Sequence, residues 1–342
     1  MKYVNGYLEE IKKILSDINL ANFDNKTICL SGATGLIGSY LIDSLLINQE
    51  LKVKIIALVR NIDKAKERFS YFKNDSRLIF KEVNLMQEID VNQKIDYLIH
   101  AASLTDPYNY ATHPIDTMSV NFLGTKNMLD LATKSQSKFM FVSSCEVYGK
   151  NENILIKEDE YGYVNILDPR SCYNESKKAS ETLCVCYQKE KNIEIVIPRL
   201  SRVYGPTMKI EDTKALSQFI KKGLNNENIV LKSKGTQLFD YTYVGDVVRA
   251  MIILLISKNN NMAYNISANE LIPLKDIASF IAEFTNTKVV FEIPDEIEQS
   301  GYSKSLTSSM DSSLFINEYH FKFKYLLFEG IKNTITLLKE IN

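Results

Sequence analysis

The chain has 342 residues, 45% of them hydrophobic, with 41 basic against 42 acidic side chains and a formal net charge of −1. That length buries a large core and usually organises as two lobes, while the near-neutral balance gives no sign of a phosphate-backbone binder, so no nucleic-acid partner is expected. The longest apolar run, Ala250–Ile256, is far short of the roughly 20 residues a membrane helix needs, so no membrane span is expected either. No basic segment followed by an apolar one opens the chain, which argues against secretion. The five cysteines (Cys29, Cys145, Cys172, Cys184, Cys186) show neither disulfide nor zinc spacing, and Cys184 and Cys186 point to different faces of one helix. A reducing cytoplasm suits them, and no metal site is expected.

In chain order, residues 1–24 carry an apolar stripe at helical spacing: Tyr7, Leu8, Ile11, Ile14, Leu15 and Ile18. This N-terminal extension is a helix packed on the body, or one that serves assembly or covers a site. Thr27–Ser31 is a short apolar strand, followed at once by Gly32-Ala33-Thr34-Gly35-Leu36-Ile37-Gly38 and then by helical periodicity from Ser39 to Leu46. Strand, glycine turn and helix in that order form a dinucleotide-binding unit. The glycines admit a pyrophosphate to the backbone, and the helix N-terminus receives its charge. Gly32, Thr34, Gly35, Leu36, Ile37 and Gly38 are therefore candidate cofactor-binding positions; a purely structural turn is the alternative.

The second strand, Val53–Val59, ends in Arg60 and Asn61 with Lys64 close by, where a dinucleotide fold that prefers NAD places an acid for the ribose hydroxyls. A guanidinium there attracts a 2′-phosphate, so Arg60 favours NADP. NAD with Arg60 stacked on adenine is the alternative. Further strand candidates at Leu78–Val83, Tyr97–Ala101, Lys138–Ser143 and Ile193–Leu200 alternate with helical stretches. That alternation predicts an α/β fold, a Rossmann-type doubly wound parallel sheet.

Ser143-Ser144-Cys145-Glu146 ends the fifth strand, and about thirty residues on, Tyr173-Asn174-Glu175-Ser176-Lys177 places Tyr173 and Lys177 one helical turn apart on one face. An ammonium beside a phenol favours the phenolate, which then acts as a base, while the Ser144 hydroxyl could hold the oxygen being oxidised. Taken alone, Tyr173 is as readily a half-buried helix aromatic. Lys232 and Lys234 could serve a phosphate.

Together these segments resemble the extended short-chain dehydrogenase/reductase family, in the NAD-dependent epimerase/dehydratase branch that modifies nucleotide sugars, from about Asn25 to about Ala268. Asp96–Ser103, Asn121–Asn127, Pro198–Pro206 and Tyr241–Ala250 match that family's later motifs in order. The resemblance implies that Ala101, Ala102 and Ser103 lie under the cofactor and that Asn84-Leu85 stands where Asp-Leu often meets the adenine. It further implies that Tyr173 and Lys177 touch the cofactor, and that helices starting near Asn121 and Tyr173 pair into a homodimer. It divides the chain into 1–24, a dinucleotide-binding domain at 25–203 to which 235–268 returns, and a discontinuous substrate lobe at 204–234 and 269–342.

Glu146 is the residue type found at its position in 4,6-dehydratases and UDP-glucuronate decarboxylases of this branch, and Arg170-Ser171-Cys172-Tyr173 resembles the decarboxylases most. Once C4 is a ketone the C5 proton is acidic, and a nearby carboxylate can remove it or steer loss of CO2. Cys145 replaces the acid of the dTDP-glucose dehydratases, and a thiol near pKa ~8.5 is a poor substitute. Two departures concern substrate recognition: Phe239 replaces the arginine of a Gly-x-Gln-x-Arg-x-Phe segment, and Arg202, two before Tyr204, replaces an asparagine. Cys145, Arg202, Tyr204, Lys232 and Phe239 are thus candidate substrate-binding residues. The expected chemistry is oxidation at C4 with Tyr173 as base, Lys177 lowering its pKa, Ser144 on O4 and Glu146 at C5, followed by decarboxylation or dehydration of a nucleotide sugar. A 4-epimerase or 4-keto reductase, and a non-catalytic cofactor-binding protein, are the alternatives.

Overall fold

The computed structural model describes residues 5–105, 107–209, 212–293 and 309–341. In chain order the strands are β1 Thr27–Ser31, β2 Lys54–Val59, β3 Leu78–Glu82, β4 Tyr97–His100, β5 Lys138–Phe141, β6 Ser143–Ser144, β7 Leu155–Ile156, β8 Ile195–Leu200, β9 Arg202–Tyr204, β10 Ile229–Leu231, β11 Leu238–Tyr243, β12 Ala263–Ile266, β13 Leu271–Pro273, β14 Val289–Phe291 and β15 Ser309–Met310. Eight of them form one parallel sheet in the order β3-β2-β1-β4-β5-β8-β12, with β6 also beside β8. β1, β2, β5 and β8 are apolar runs buried on both faces, as a parallel sheet covered by helices demands. The strand order reverses between β1 and β4, which opens a crevice at their carboxyl ends.

The helices are α1 Asn5–Ile14, α2 Leu36–Leu46, α3 Ile62–Arg68, α4 Pro107–Thr112, α5 Pro114–Ser135, α6 Cys172–Lys191, α7 Ala215–Leu224, α8 Val244–Ile256, α9 Leu274–Phe284, α10 Ser313–Tyr319 and α11 Leu327–Ile341. α5 starts on Pro114, whose fixed φ suits a first helical position. Both α5 and α6 stop at left-handed residues, Gln136 and Asn192. The two helices pack along each other beside β4, β5 and β8. Among the described residues no helix is long and apolar enough to cross a membrane.

The segment Phe239–Val244 was expected to rejoin the large sheet, and this is corrected: Phe239–Tyr243 lie in β11, which pairs with β9 and β13 in a separate three-stranded sheet, and Val244 opens α8. β9 follows β8 directly and leaves the large sheet, and β11 pairs along it. Only Ala263–Ile266 returns to the large sheet.

α1 packs on α2, α8 and α11 with Tyr7, Ile11 and Ile14 buried. A polar clamp fixes it. Tyr7 donates to Asp43 at 2.7 Å, and buried Glu10 accepts from Tyr40 at 2.6 Å and Tyr243 at 2.8 Å. Burial pushes the Glu10 carboxyl up to about 7, although both tyrosine hydrogen bonds pull it down. Between the unfolded value of 4.5 and about 7 the folded protein keeps a proton that the unfolded chain releases. Stability therefore falls as pH rises through that window, by up to about 3 kcal/mol. Glu10→Gln should flatten this dependence: the drop in Tm from about pH 4.5 to about pH 8 should be smaller in the variant, and equal drops would contradict the clamp.

Candidate active site

The turn after β1 is built for close approach. Gly32 has φ +76°, and a Cβ there would meet the Ala101 carbonyl carbon at 2.6 Å; a Cβ on Gly38 would meet the Gly32 oxygen at 2.3 Å. Gly35 caps α2 with extended backbone and no side-chain hydrogen bond. The N–H groups of Leu36, Ile37 and Gly38 therefore lack helical acceptors and face outward at the positive end of the dipole. Such a cradle, which side chains would fill, fits a dinucleotide pyrophosphate. Thr34 is half-buried beside it, and the Ala102 N–H donates to Ser31 at 3.4 Å. Beneath lies His100, held to Ser31 at 2.7 Å and pushed down to about 3 by burial, so its ring is neutral.

Arg60 and Lys64 are exposed where β2 ends. Glu82, the last residue of β3 and opposite Val59, went unnoticed in the sequence; its carboxylate accepts from the Ile62 N–H at 3.2 Å. Asn84 is exposed, and Leu85 is half-buried with its carbonyl accepting from Asn127 at 2.8 Å.

The carboxyl end of β6 and the first turns of α6 bring Ser144, Glu146, Tyr173 and Lys177 together. Burial raises the Tyr173 phenol well above its usual range, with the Ser144 and Ser103 hydroxyls pulling it down. The Lys177 ammonium donates to the Val142 carbonyl at 2.9 Å, lies over Phe141 at 4.5 Å and stands 6.0 Å from the Tyr173 ring centre. Burial is the largest influence on the Tyr173 phenol. Lys177 itself is pushed down to about 8 by burial. Ser103 donates to Asn121 at 2.6 Å, and Asn121 donates to Ser176 at 2.9 Å, which ties the loop after β4 to α6.

Glu146 lies in the short turn after Ser144, where Asn174 donates to both its carbonyl and its carboxylate at 2.8 Å and Arg170 stands 3.6 Å away. Arg170 also lies over Tyr110 at 4.6 Å, and Tyr110 stacks on Tyr173 with ring centres 4.8 Å apart. Asn174, Arg170, Tyr110 and Asn121 are site residues that sequence reasoning did not assign. Asn174 and Arg170 flank Tyr173 in sequence, the one signal that could have found them.

A small cavity beside this cluster is lined by Cys145, Glu146, Tyr148, Ile156, Arg202 and Ser309, among others. The Cys145 thiol is pushed up to about 11 by burial, so it is neutral. Arg202 enters the cavity from β9 and lies over Phe239 at 4.8 Å. Tyr204 is corrected: it is a core residue, 3% exposed, packed edge-on to Tyr241 and Tyr243 and donating to the Leu327 carbonyl at 3.0 Å. It closes β9 where the C-terminal helix α11 begins, and packing against Tyr243 and the start of that helix buries it. Lys232 stands exposed after β10, in a separate two-stranded sheet and outside the lining of this cavity.

A doubly wound sheet with a glycine cradle at its switch point and a Ser-Tyr-Lys cluster at its carboxyl edge defines a dinucleotide-binding protein with an oxidoreductase-type site. The chain belongs to the NAD dependent epimerase/dehydratase family, whose model matches residues 28–267. It is 32% identical over 242 residues to UDP-glucuronic acid decarboxylase 1 of Xenopus tropicalis, covering 70% of this chain and 55% of that protein. It is 31% identical over 279 residues to UDP-glucuronic acid decarboxylase 3 of Arabidopsis thaliana, covering 80% of each. The chain thus spans only about half the length of the first of these relatives. Its fold matches the UDP-glucuronic acid 4-epimerase of Bacillus cereus, solved with UDP-glucuronic acid and NAD, with TM-score 0.77 and 22% identity over 92% of this chain and 100% of that one.

Proposed function

We propose that this protein is a nucleotide-sugar enzyme that oxidises a UDP-hexuronate at C4 and then releases its C5 carboxylate as CO2. The observation that carries this reading is Glu146, fixed by Asn174 and Arg170 in the same cluster as Ser144 and Tyr173. Bound on the glycine cradle, the nicotinamide dinucleotide supplies the hydride acceptor for C4. Ser144 orients O4 by a hydrogen bond, and Tyr173 takes the O4 proton as the C–H bond breaks. Lys177 holds the ribose side of the site. The 4-ketone delocalises the electron pair left at C5 when CO2 departs; Glu146 orders that end of the ring and passes to C5 the proton that replaces the carboxylate, and Tyr173 would return its proton to O4 as the hydride returns to C4. The decarboxylases of Xenopus and Arabidopsis support this reading. A second reading, 4-epimerisation with the carboxylate retained, is favoured by one observation: a guanidinium at Arg202 would stabilise the carboxylate against loss. Single-turnover absorbance of the holoenzyme mixed with UDP-glucuronate tests the common first step. Transient nicotinamide reduction is expected, and its absence would overturn both readings.

Arg60 and Lys64 support NADP as the cofactor, since both are exposed cations at the end of β2. Arg60→Ala is expected to weaken NADP by about tenfold or more and NAD by less than about twofold in direct titrations. Equal effects would assign Arg60 to adenine. The same reading makes α5 and α6 half of a homodimeric four-helix interface, supported by the exposed apolar residues Ile115, Met118, Leu123 and Val185.

A further inference from the structure

Arg202 is a cation placed in the site without a counter-ion of its own. It stands opposite Tyr241 in the β9–β11 pairing, and the face of Phe239, 4.8 Å away, fixes its plane. Among the described residues it makes neither a hydrogen bond nor an ion pair. The two carboxylates whose charges reach it are Glu146 and Asp240. Glu146 is held by Asn174 and Arg170; one Asp240 oxygen accepts from Ser267 and Ser309, and the other is buried without a hydrogen-bond partner and makes no ion pair with Arg202. A guanidinium presents up to five donors in one plane, and a partly desolvated one without an acceptor is costly. The cavity it lines is lined by Cys145 and Glu146 as well, so Arg202 and Glu146 border the same space.

We propose that Arg202 is the residue that selects a sugar acid, receiving the C5 carboxylate of a hexuronate through its planar fork. This rests on the reading above that the substrate is a nucleotide sugar with Glu146 at C5. A carboxylate matches the fork bidentately, whereas a neutral hydroxymethyl group leaves the charge unpaired. Arg202 acts in recognition; the proton and hydride steps belong to Tyr173, Ser144 and the cofactor.

Calorimetric titration of the protein loaded with reduced dinucleotide, which cannot accept a hydride from C4, with UDP-glucuronate, UDP-glucose and UDP tests this without turnover. The wild type should prefer UDP-glucuronate to UDP-glucose by at least about tenfold. Arg202→Met should lose about 10- to 100-fold in affinity for the uronate and less than about twofold for UDP-glucose and UDP. Arg202→Lys should keep a smaller preference. Equal weakening of all three ligands would overturn the proposal and assign Arg202 to the diphosphate. Should Arg202→Met not fold, the wild type decides alone, because absence of a uronate preference overturns the proposal. A preference for uronate with no CO2 released would refute the decarboxylase reading and leave the role of Arg202 standing.

Discussion

Tyr173→Phe should abolish reduction of the nicotinamide by the sugar nucleotide, lowering kcat by about 10²- to 10⁴-fold with KM changed only a few-fold. The oxygen removed is the one that, once deprotonated to the phenolate, takes the O4 proton in step with hydride loss. Ser144 is an orienting donor, and the Lys177 ammonium is engaged with the Val142 carbonyl at 2.9 Å. The phenylalanine ring keeps the stack on Tyr110 and the buried contacts of α6, so folding and cofactor binding should survive. Burial also holds the Tyr173 phenol high, so kcat in the wild type should rise with pH across the neutral range, and this slope should vanish in the variant. Stopped-flow absorbance reads both. A variant that reduces cofactor at the wild-type rate would remove Tyr173 from the chemistry.

Glu146→Gln should separate the two halves of the reaction. The glutamine keeps its length, and its carbonyl oxygen still accepts from Asn174; the Arg170 contact, already 3.6 Å long, is the one weakened. What is lost is the ability to take or give a proton at C5, and that role is worth about 10²- to 10⁴-fold. Oxidation at C4 should continue, so reduced cofactor and a 4-keto sugar accumulate while final product falls. Borohydride trapping followed by mass analysis identifies the ketone. Full turnover in this variant would make Glu146 incidental, and loss of the first step as well would make it an organiser of Ser144.

Features set by short stretches of chain were legible in the sequence. The glycine cradle follows from an apolar strand, three glycines and a helix start in direct succession. The Tyr173–Lys177 pair follows from helical spacing alone. The strands of the large sheet were legible to within two or three residues, because strands buried on both faces are written as unbroken apolar runs. Features decided by the whole fold were not. β11 reads like any half-buried strand, and only its long-range pairing with β9 and β13 places it in the smaller sheet. Tyr204 reads as a site residue by position, yet long-range packing against Tyr241, Tyr243 and the start of the C-terminal helix buries it. The stack of Arg170 on Tyr110 on Tyr173 joins residues about sixty apart, and no local pattern announces it. Arg202 and Phe239 were each visible as departures, but their contact exists only because β9 and β11 lie side by side.

The most direct test is the mass of the sugar nucleotide recovered after the holoenzyme is incubated with UDP-glucuronate. The account predicts a product lighter by the mass of CO2, with the cofactor returned to its oxidised form. A product of unchanged mass whose C4 configuration is inverted would contradict decarboxylation and make the protein an epimerase of sugar acids.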